Sequence, residues 1–242
     1  MTHGQPDDAN IIGTDNLQAS QDMAELAARM GSIVTFDRGG LLLWATDMAE
    51  GVGGFAYNWS GAASEVTMVS DYWQNGGISL RLIAGQGVTD FAYISKLFPR
   101  IIASRLGFAV LVSTWDLVTS FELQIRDLHG VQTIYWYIKY IYSSDSLWYL
   151  DSSNVWQLIA ANIDLARGEN LFHYLKAVID FKNQQYCRLI VNQTVYDLSG
   201  ITAYTATNLG TDRIEFRVLV NGHGVADSYL YVDAFILTQN EG

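Results

Sequence analysis

Eight tyrosines and tryptophans crowd the segment from Tyr135 to Trp156: Tyr135, Trp136, Tyr137, Tyr140, Tyr142, Trp148, Tyr149 and Trp156. Such side chains join a large apolar body to a polar tip, so they stack on sugar rings or bury against a neighbouring protein. On a strand of period two, Tyr135 and Tyr137 share one face while Trp136 and Tyr140 share the other. One set therefore packs an interior. The other is available, and Tyr135, Tyr137, Trp148, Tyr149 and Trp156 are the candidates for a carbohydrate- or partner-binding surface. Packing within the domain, contact with another subunit and a glycan platform all remain open for them.

Groups for catalysis are sparse. Glycoside hydrolysis needs two carboxylates flanking one sugar bond. The cleanest charged strand, 121–127, offers Glu122 and Asp127, whose odd separation sets them on opposite faces with Arg126 between. No G-x-S-x-G elbow, P-loop or dinucleotide-binding glycine pattern occurs, and Gly85-Gln86-Gly87 lacks the rest of one. His3, His129, His173 and His223 are scattered, and the one cysteine, Cys187, forms no zinc-binding cluster with them. Cys187 falls on the apolar side of a strand and reads as a small buried hydrophobe. From these absences the expectation is a chain that is not an enzyme.

The bulk composition narrows the partners. A formal net charge of −11 with no basic run opposes sequence-independent binding to nucleic acid or to an anionic membrane. No apolar run approaches the ~18 residues of a membrane span, and the polar first ten residues do not read as a secretion signal. Charged residues make up 16% of the chain and hydrophobic ones 50%, against roughly a quarter charged in ordinary domains. Much of the surface is therefore neutral or aromatic. That suits burial against neighbouring subunits, and equally a monomer rich in Ser, Thr, Asn and Gln.

The elements that must position these residues are strands. In 172–200, Leu175, Ala177, Ile179 and Phe181 alternate with polar neighbours. After the turn 182–185, Cys187, Leu189 and Val191 repeat the period. Phe121, Leu123 and Ile125 alternate with Glu122, Gln124 and Arg126; Ile214, Phe216, Val218 and Val220 alternate with Arg213, Glu215 and Arg217. Turn signals every eight to twelve residues give twelve to fifteen strands, as in a sandwich or barrel. One helix is predicted. Ser20 caps it, Met23, Leu26, Ala27 and Met30 fall at i, i+3, i+4 and i+7, and Gly31 closes it. Residues 1–31 thus form an arm with an amphipathic assembly helix, and 32–242 a single β-sandwich domain.

The strand–turn–strand from Phe172 to Gly200, with the closing run Tyr231-Val232-Asp233-Ala234-Phe235-Ile236, resembles concanavalin A-like and laminin-G-like jelly rolls. The early loop Asp47-Met48-Ala49-Glu50-Gly51 resembles the acidic loop of carbohydrate-binding sandwiches. The resemblance implies an all-β antiparallel jelly-roll sandwich of the kind found in phage virion proteins and carbohydrate-binding modules. It implies first a structural subunit of a virion, a capsid decoration or tail-associated protein. Its partners would be copies of itself in a homo-oligomer or a capsid shell. The alternative is a carbohydrate-binding module or lectin using the aromatic face. No cofactor is expected beyond a structural calcium, which many such sandwiches hold between the early loop and the last strand. Here its carboxylates would be Asp47, Glu50 and Asp233, with Ala234 standing where the family pattern has a further acid.

Overall fold

The computed structural model describes residues 41–48, 51–74, 77–100, 105–114, 118–168, 171–207 and 212–242. The expected helix with Met23, Leu26, Ala27 and Met30 lies outside them, as do residues 32–40 of the expected sandwich domain and Glu50.

The described residues form sixteen strands: β1 (Leu41–Thr46), β2 (Ala56–Ser60), β3 (Glu65–Val69), β4 (Ser79–Ala84), β5 (Phe91–Pro99), β6 (Arg105–Thr114), β7 (Ser120–His129), β8 (Gln132–Ile141), β9 (Ser146–Leu150), β10 (Trp156–Ala160), β11 (His173–Asp180), β12 (Gln185–Val191), β13 (Thr194–Asp197), β14 (Tyr204–Thr207), β15 (Arg213–Asn221) and β16 (Ser228–Gln239). They pair into two antiparallel sheets. The first runs β13-β12-β11-β6-β16-β4-β3, with β1 also on β16; the second runs β10-β9-β8-β7-β15-β5-β2, with β14 also on β8. The alternation in the sequence sorts the side chains. Phe121, Leu123 and Ile125 of β7, Phe216, Val218 and Val220 of β15, and Phe108, Val110 and Val112 of β6 meet in one core between the sheets. Trp136 and Tyr140 are among the largest fully buried side chains, so the inward set of the aromatic segment is the one on even positions. Phe108 of the first sheet meets Phe216 of the second edge to face at 5.6 Å, a contact favoured by the ring quadrupole.

The expectation for β12 needs one correction. The ladder between β11 and β12 slips, so that Val178 faces Arg188 while Ile179 faces Tyr186. Cys187 is the extra residue of this β-bulge. It is only half buried, and Tyr186 takes the core position in its place. A bulge shifts the side-chain period by one residue, and simple alternation cannot see it. Partial burial nonetheless pushes the Cys187 thiol above its ordinary range, which keeps it protonated and unreactive.

The first sheet carries a second, smaller apolar cluster on its other face, made by Ala109, Leu111, Tyr174, Ile190, Ala234 and Ile236. Beside it the C-terminal Glu241 folds back. Its carboxylate receives Lys176 Nζ at 2.8 Å and Arg188 Nη2 at 3.1 Å, with both Lys176 and Glu241 side chains excluded from solvent. Pro99 ends β5 as its missing N–H requires; it faces only Arg213 of β15, because β2 pairs no further than Ser95.

Candidate functional site

The outward face of the second sheet gathers polar and aromatic side chains from seven strands. Residues opposite one another in the ladders form rows. One row is Asn58, Tyr93, Leu219, Glu122, Lys139 and Trp148. The next is Ser95, Arg217, Gln124 and Tyr137. The third is Leu97, Glu215, Arg126, Tyr135 and Tyr204. Strands β7, β8 and β15 are ten, ten and nine residues long, so they lie side by side over their full length and hold these rows rigidly.

Three of the floor residues are buried although they face outward: Glu122 is 7% exposed, Gln124 5% and Glu215 5%. Buried polar groups need partners, and these have them. Glu122 accepts Gln124 Nε2 at 2.7 Å and Lys139 Nζ at 2.9 Å. Glu215 accepts Arg126 Nη1 at 2.9 Å and Arg217 Nη2 at 2.7 Å. Burial alone raises the Glu215 carboxyl, but the Arg217 and Arg126 guanidiniums outweigh it and hold the group below its ordinary range. The Gln124 Oε1, also buried, has no hydrogen-bond partner among the described residues.

Rings wall this floor. Lys139 Nζ lies 3.9 Å from the Trp156 ring centroid, and the Arg217 guanidinium 3.8 Å from that of Tyr93, both cation–π contacts. Tyr135 stacks on Tyr204 at 5.4 Å and meets Tyr137 edge to face at 5.4 Å. Burial drives the Tyr137 phenol well above the usual tyrosine range, against the pull of Arg126 and Arg217. It stays a neutral hydrogen-bond donor at ordinary pH.

Beneath Tyr137 the sheet has a gap. On the side of β8 away from β7, β14 pairs residues 132–135 and β9 pairs residues 138–141. Trp136 and Tyr137 fall between them. The Tyr186 hydroxyl, reaching across from the first sheet, accepts the Tyr137 N–H at 2.9 Å and donates to the Leu150 carbonyl at 2.9 Å. Trp136 Nε1 donates to the Gln185 carbonyl at 3.2 Å. The site residue Tyr137 is thus braced from the opposite sheet.

Of the sequence candidates, Tyr135, Tyr137, Trp148 and Trp156 come together on this face. Tyr149 does not. It opposes the inward Ile138 and packs edge to face on Tyr186 at 5.7 Å, because consecutive strand residues point to opposite sides and Trp148 takes the outward one. Asp127 faces away from Glu122, as its spacing predicts, and both its oxygens are held by Arg100. Glu122 and Glu215 share the face, but Glu122 stands opposite Leu219, four residues along β15 from Glu215. That offset is about 13 Å along the strand, beyond the roughly 5–9.5 Å of a glycosidase pair. For the calcium expectation, β1 ends with Thr46 opposite Phe235, which brings Asp47 to the neighbourhood of Asp233. Asp233 is fully buried at a bulge in β16, and its Oδ2 accepts the Gln74 N–H at 2.9 Å. Among the described residues no three His, Cys, Asp or Glu side chains cluster as a metal would need.

Sequence reasoning missed Tyr93, Gln124, Glu215, Arg217 and Tyr204 as members of the site. The signal existed in the polar halves of two alternating strands, 121–127 and 213–220, but nothing local said that these strands are neighbours.

No protein-family model matches the chain, and no curated protein sequence is detectably similar to it. Solved structures do match. The chain superposes on a carbohydrate esterase of the Shiga toxin-encoding bacteriophage phi24B with a TM-score of 0.55 at 11% identity, over 84% of its own length and 100% of that chain. It matches an endo-β-1,4-glucuronan lyase of the fungus Trichoderma reesei with a TM-score of 0.55 at 11% identity, over 82% of its length and 95% of that chain. A cellulose-induced protein matches with a TM-score of 0.50 at 10% identity, over 81% of this chain and 96% of that one. The fold is therefore that of a concanavalin A-like jelly-roll sandwich.

These neighbours overturn the expectation that the chain is not an enzyme. Two of them are named as an esterase and a lyase on the same fold. The expectation rested on sequence-local motifs, and a jelly roll assembles its groups from strands distant in sequence, so the absence of such motifs excludes little. Among the described residues no helix is long and apolar enough to cross a membrane.

Proposed function

We propose that the outward face of the second sheet binds a saccharide chain, with Tyr135, Tyr137, Trp148 and Trp156 as the stacking residues. The observation that carries this reading is the make-up of the face: rings at its margins and a hydrogen-bonded floor in which buried Glu122, Gln124 and Glu215 are held by the partly buried Arg126, Lys139 and Arg217. A pyranose has an apolar ring face bordered by hydroxyls. Aromatic faces take the first and preorganised donors and acceptors take the second. The carbohydrate esterase, the glucuronan lyase and the cellulose-induced protein that share the fold support the substrate class without fixing the sugar. The test is a glycan array on the whole chain, followed by Tyr135→Ala/Trp148→Ala. Binding that falls at least about tenfold, the worth of roughly 1.4 kcal/mol, with the fold retained supports the reading. Binding untouched by the double substitution removes it from this face.

A second reading has its own observation. Among the described residues the β2 edge of the second sheet carries no neighbour beyond it, all five of its residues are exposed, and Tyr57 and Trp59 stack there at 5.9 Å in parallel planes. An uncharged, aromatic, open edge is a place for another chain to pair. This favours a subunit of a larger assembly, a virion protein in the sense that the bacteriophage origin of one structural neighbour suggests. Light scattering on the purified chain and on Tyr57→Lys/Trp59→Lys tests it. Oligomers that persist unchanged in the variant, or a wild type that is monomeric at high concentration, count against it.

A further inference from the structure

We propose that the saccharide taken by this face is acidic, its carboxylate received by Arg126 and Arg217 and a hydroxyl of the chain donating to Gln124 Oε1; this rests on the saccharide reading above. The chain as a whole carries −11, yet the central rows of the face set three cations, Arg126, Lys139 and Arg217, against two carboxylates, Glu122 and Glu215. The excess is localised. Lys139 is matched by Glu122 at 2.9 Å, whereas Arg126 and Arg217 share the one carboxylate of Glu215. One positive charge is left over on the flank of Tyr137.

Both guanidiniums keep donors in hand. Arg217 spends its Nε and Nη2 on Glu215 and stacks one face on Tyr93. Arg126 uses Nη1 on Glu215 and also hydrogen-bonds Tyr135, while its buried Nε has no partner among the described residues. A guanidinium offers five N–H donors in a planar fork that fits a carboxylate. The Tyr137 phenol, kept neutral by burial, adds a further donor in the same row as Arg217 and Gln124.

Gln124 supplies the independent sign of a ligand. It lies at the middle of β7 between Glu122 and Arg126, and its Nε2 is fixed on Glu122. Its Oε1 is then an acceptor, buried and unpartnered among the described residues, and an acceptor left so costs free energy until a donor arrives. A carboxylate cannot supply that donor and a hydroxyl can. A uronosyl unit carries both, one group for the arginines and the other for the amide.

The experiment compares each of three uronans, a galacturonan, a glucuronan and a mannuronan, with its own carboxyl-reduced neutral polymer. Binding to the whole chain is read by affinity electrophoresis and by calorimetry with short oligomers. At least one uronan is expected to bind tenfold or more tighter than its reduced form, with affinity falling as salt is raised. Arg217→Gln is expected to abolish that preference, so that the ratio of acidic to reduced affinity falls to within twofold of one. The wild-type comparison decides the matter even if the variant does not fold. Equal binding of acidic and reduced polymers overturns the inference and leaves the saccharide reading standing. A sulfated galactan run beside them that binds in preference to every uronan overturns the carboxylate assignment, and failure of every glycan to bind removes both.

Discussion

Replacing Tyr186 by phenylalanine removes one oxygen from the interior and tests how the site is held. The hydroxyl fills the break between β14 and β9, accepting the Tyr137 N–H and donating to the Leu150 carbonyl, each at 2.9 Å. Phenylalanine keeps the ring and its edge-to-face contact with Tyr149, so no cavity of consequence opens. What is lost is hydrogen bonding to two main-chain groups, one of them a buried amide. A buried donor left unsatisfied costs about 1–3 kcal/mol. At about 2 kcal/mol, and with 2–4 °C of Tm per kcal/mol for a chain of this size, the melting temperature falls by about 4–8 °C. Calorimetry or a thermal scan by circular dichroism measures that shift. Amide hydrogen exchange localises it, since protection at Tyr137 and its β8 neighbours should drop more than in β7 or β15. Tyr196→Phe is the control: its hydroxyl makes no hydrogen bond among the described residues, and the change should stay within about 0.5 kcal/mol. A Tyr186→Phe protein that melts within about 1 °C of the wild type, with Tyr137 equally protected, would falsify the view that this hydroxyl bridges the gap.

The C-terminal ion pair and the buried tyrosines give two further expectations. Glu241→Gln strands Lys176 in a dry environment and should cost about 3–5 kcal/mol, seen as a loss of urea midpoint, while Lys176→Met/Glu241→Leu should recover part of it; a neutral single variant would sink the claim. Burial pushes Tyr140 and Tyr231 up to about 12 and holds Tyr137, Tyr142 and Tyr186 higher still. The unfolded chain releases these protons near its ordinary tyrosine value while the native state keeps them. Stability is therefore whole below about pH 10 and falls above it, by about 4 kcal/mol per pH unit from the three most buried phenols alone. Against a total of 5–15 kcal/mol, unfolding should set in by about pH 11–12. Phenolate absorbance followed beside circular dichroism checks this, and tyrosines that all ionise near pH 10 with the fold intact would contradict it.

How far the sequence reveals this molecule depends on whether a feature is local. The alternation of Phe121, Leu123 and Ile125 with Glu122, Gln124 and Arg126 is a local fact, and it correctly assigns faces, since a period of two leaves no other choice. The same rule applied to Trp148 and Tyr149 shows that adjacent residues cannot both sit on one face, so alternation alone excludes Tyr149 from the face that carries Trp148. Neighbourhood is different. Arg126 and Glu215 are 89 positions apart and meet at 2.9 Å only because β15 inserts between β7 and β5. Alternation says which way each points and nothing about which strand lies beside it. The bulge at Cys187 is illegible for a second reason. Tyr186 is buried and Cys187 half buried, and the slip carries the Tyr186 hydroxyl to the open N–H of Tyr137 on the other sheet. The partner that this register brings to Tyr186 lies 49 residues away in the sequence. β14, with its sequence Tyr-Thr-Ala-Thr, lacks an apolar period and exists by virtue of pairing with β8. It nonetheless places Tyr204 on Tyr135. Each feature missed in the sequence is thus an interaction between distant segments, and the candidate site is built almost wholly from such interactions. That is why the fold could be read from alternation while the floor of Glu122, Gln124, Arg126, Glu215 and Arg217 could not.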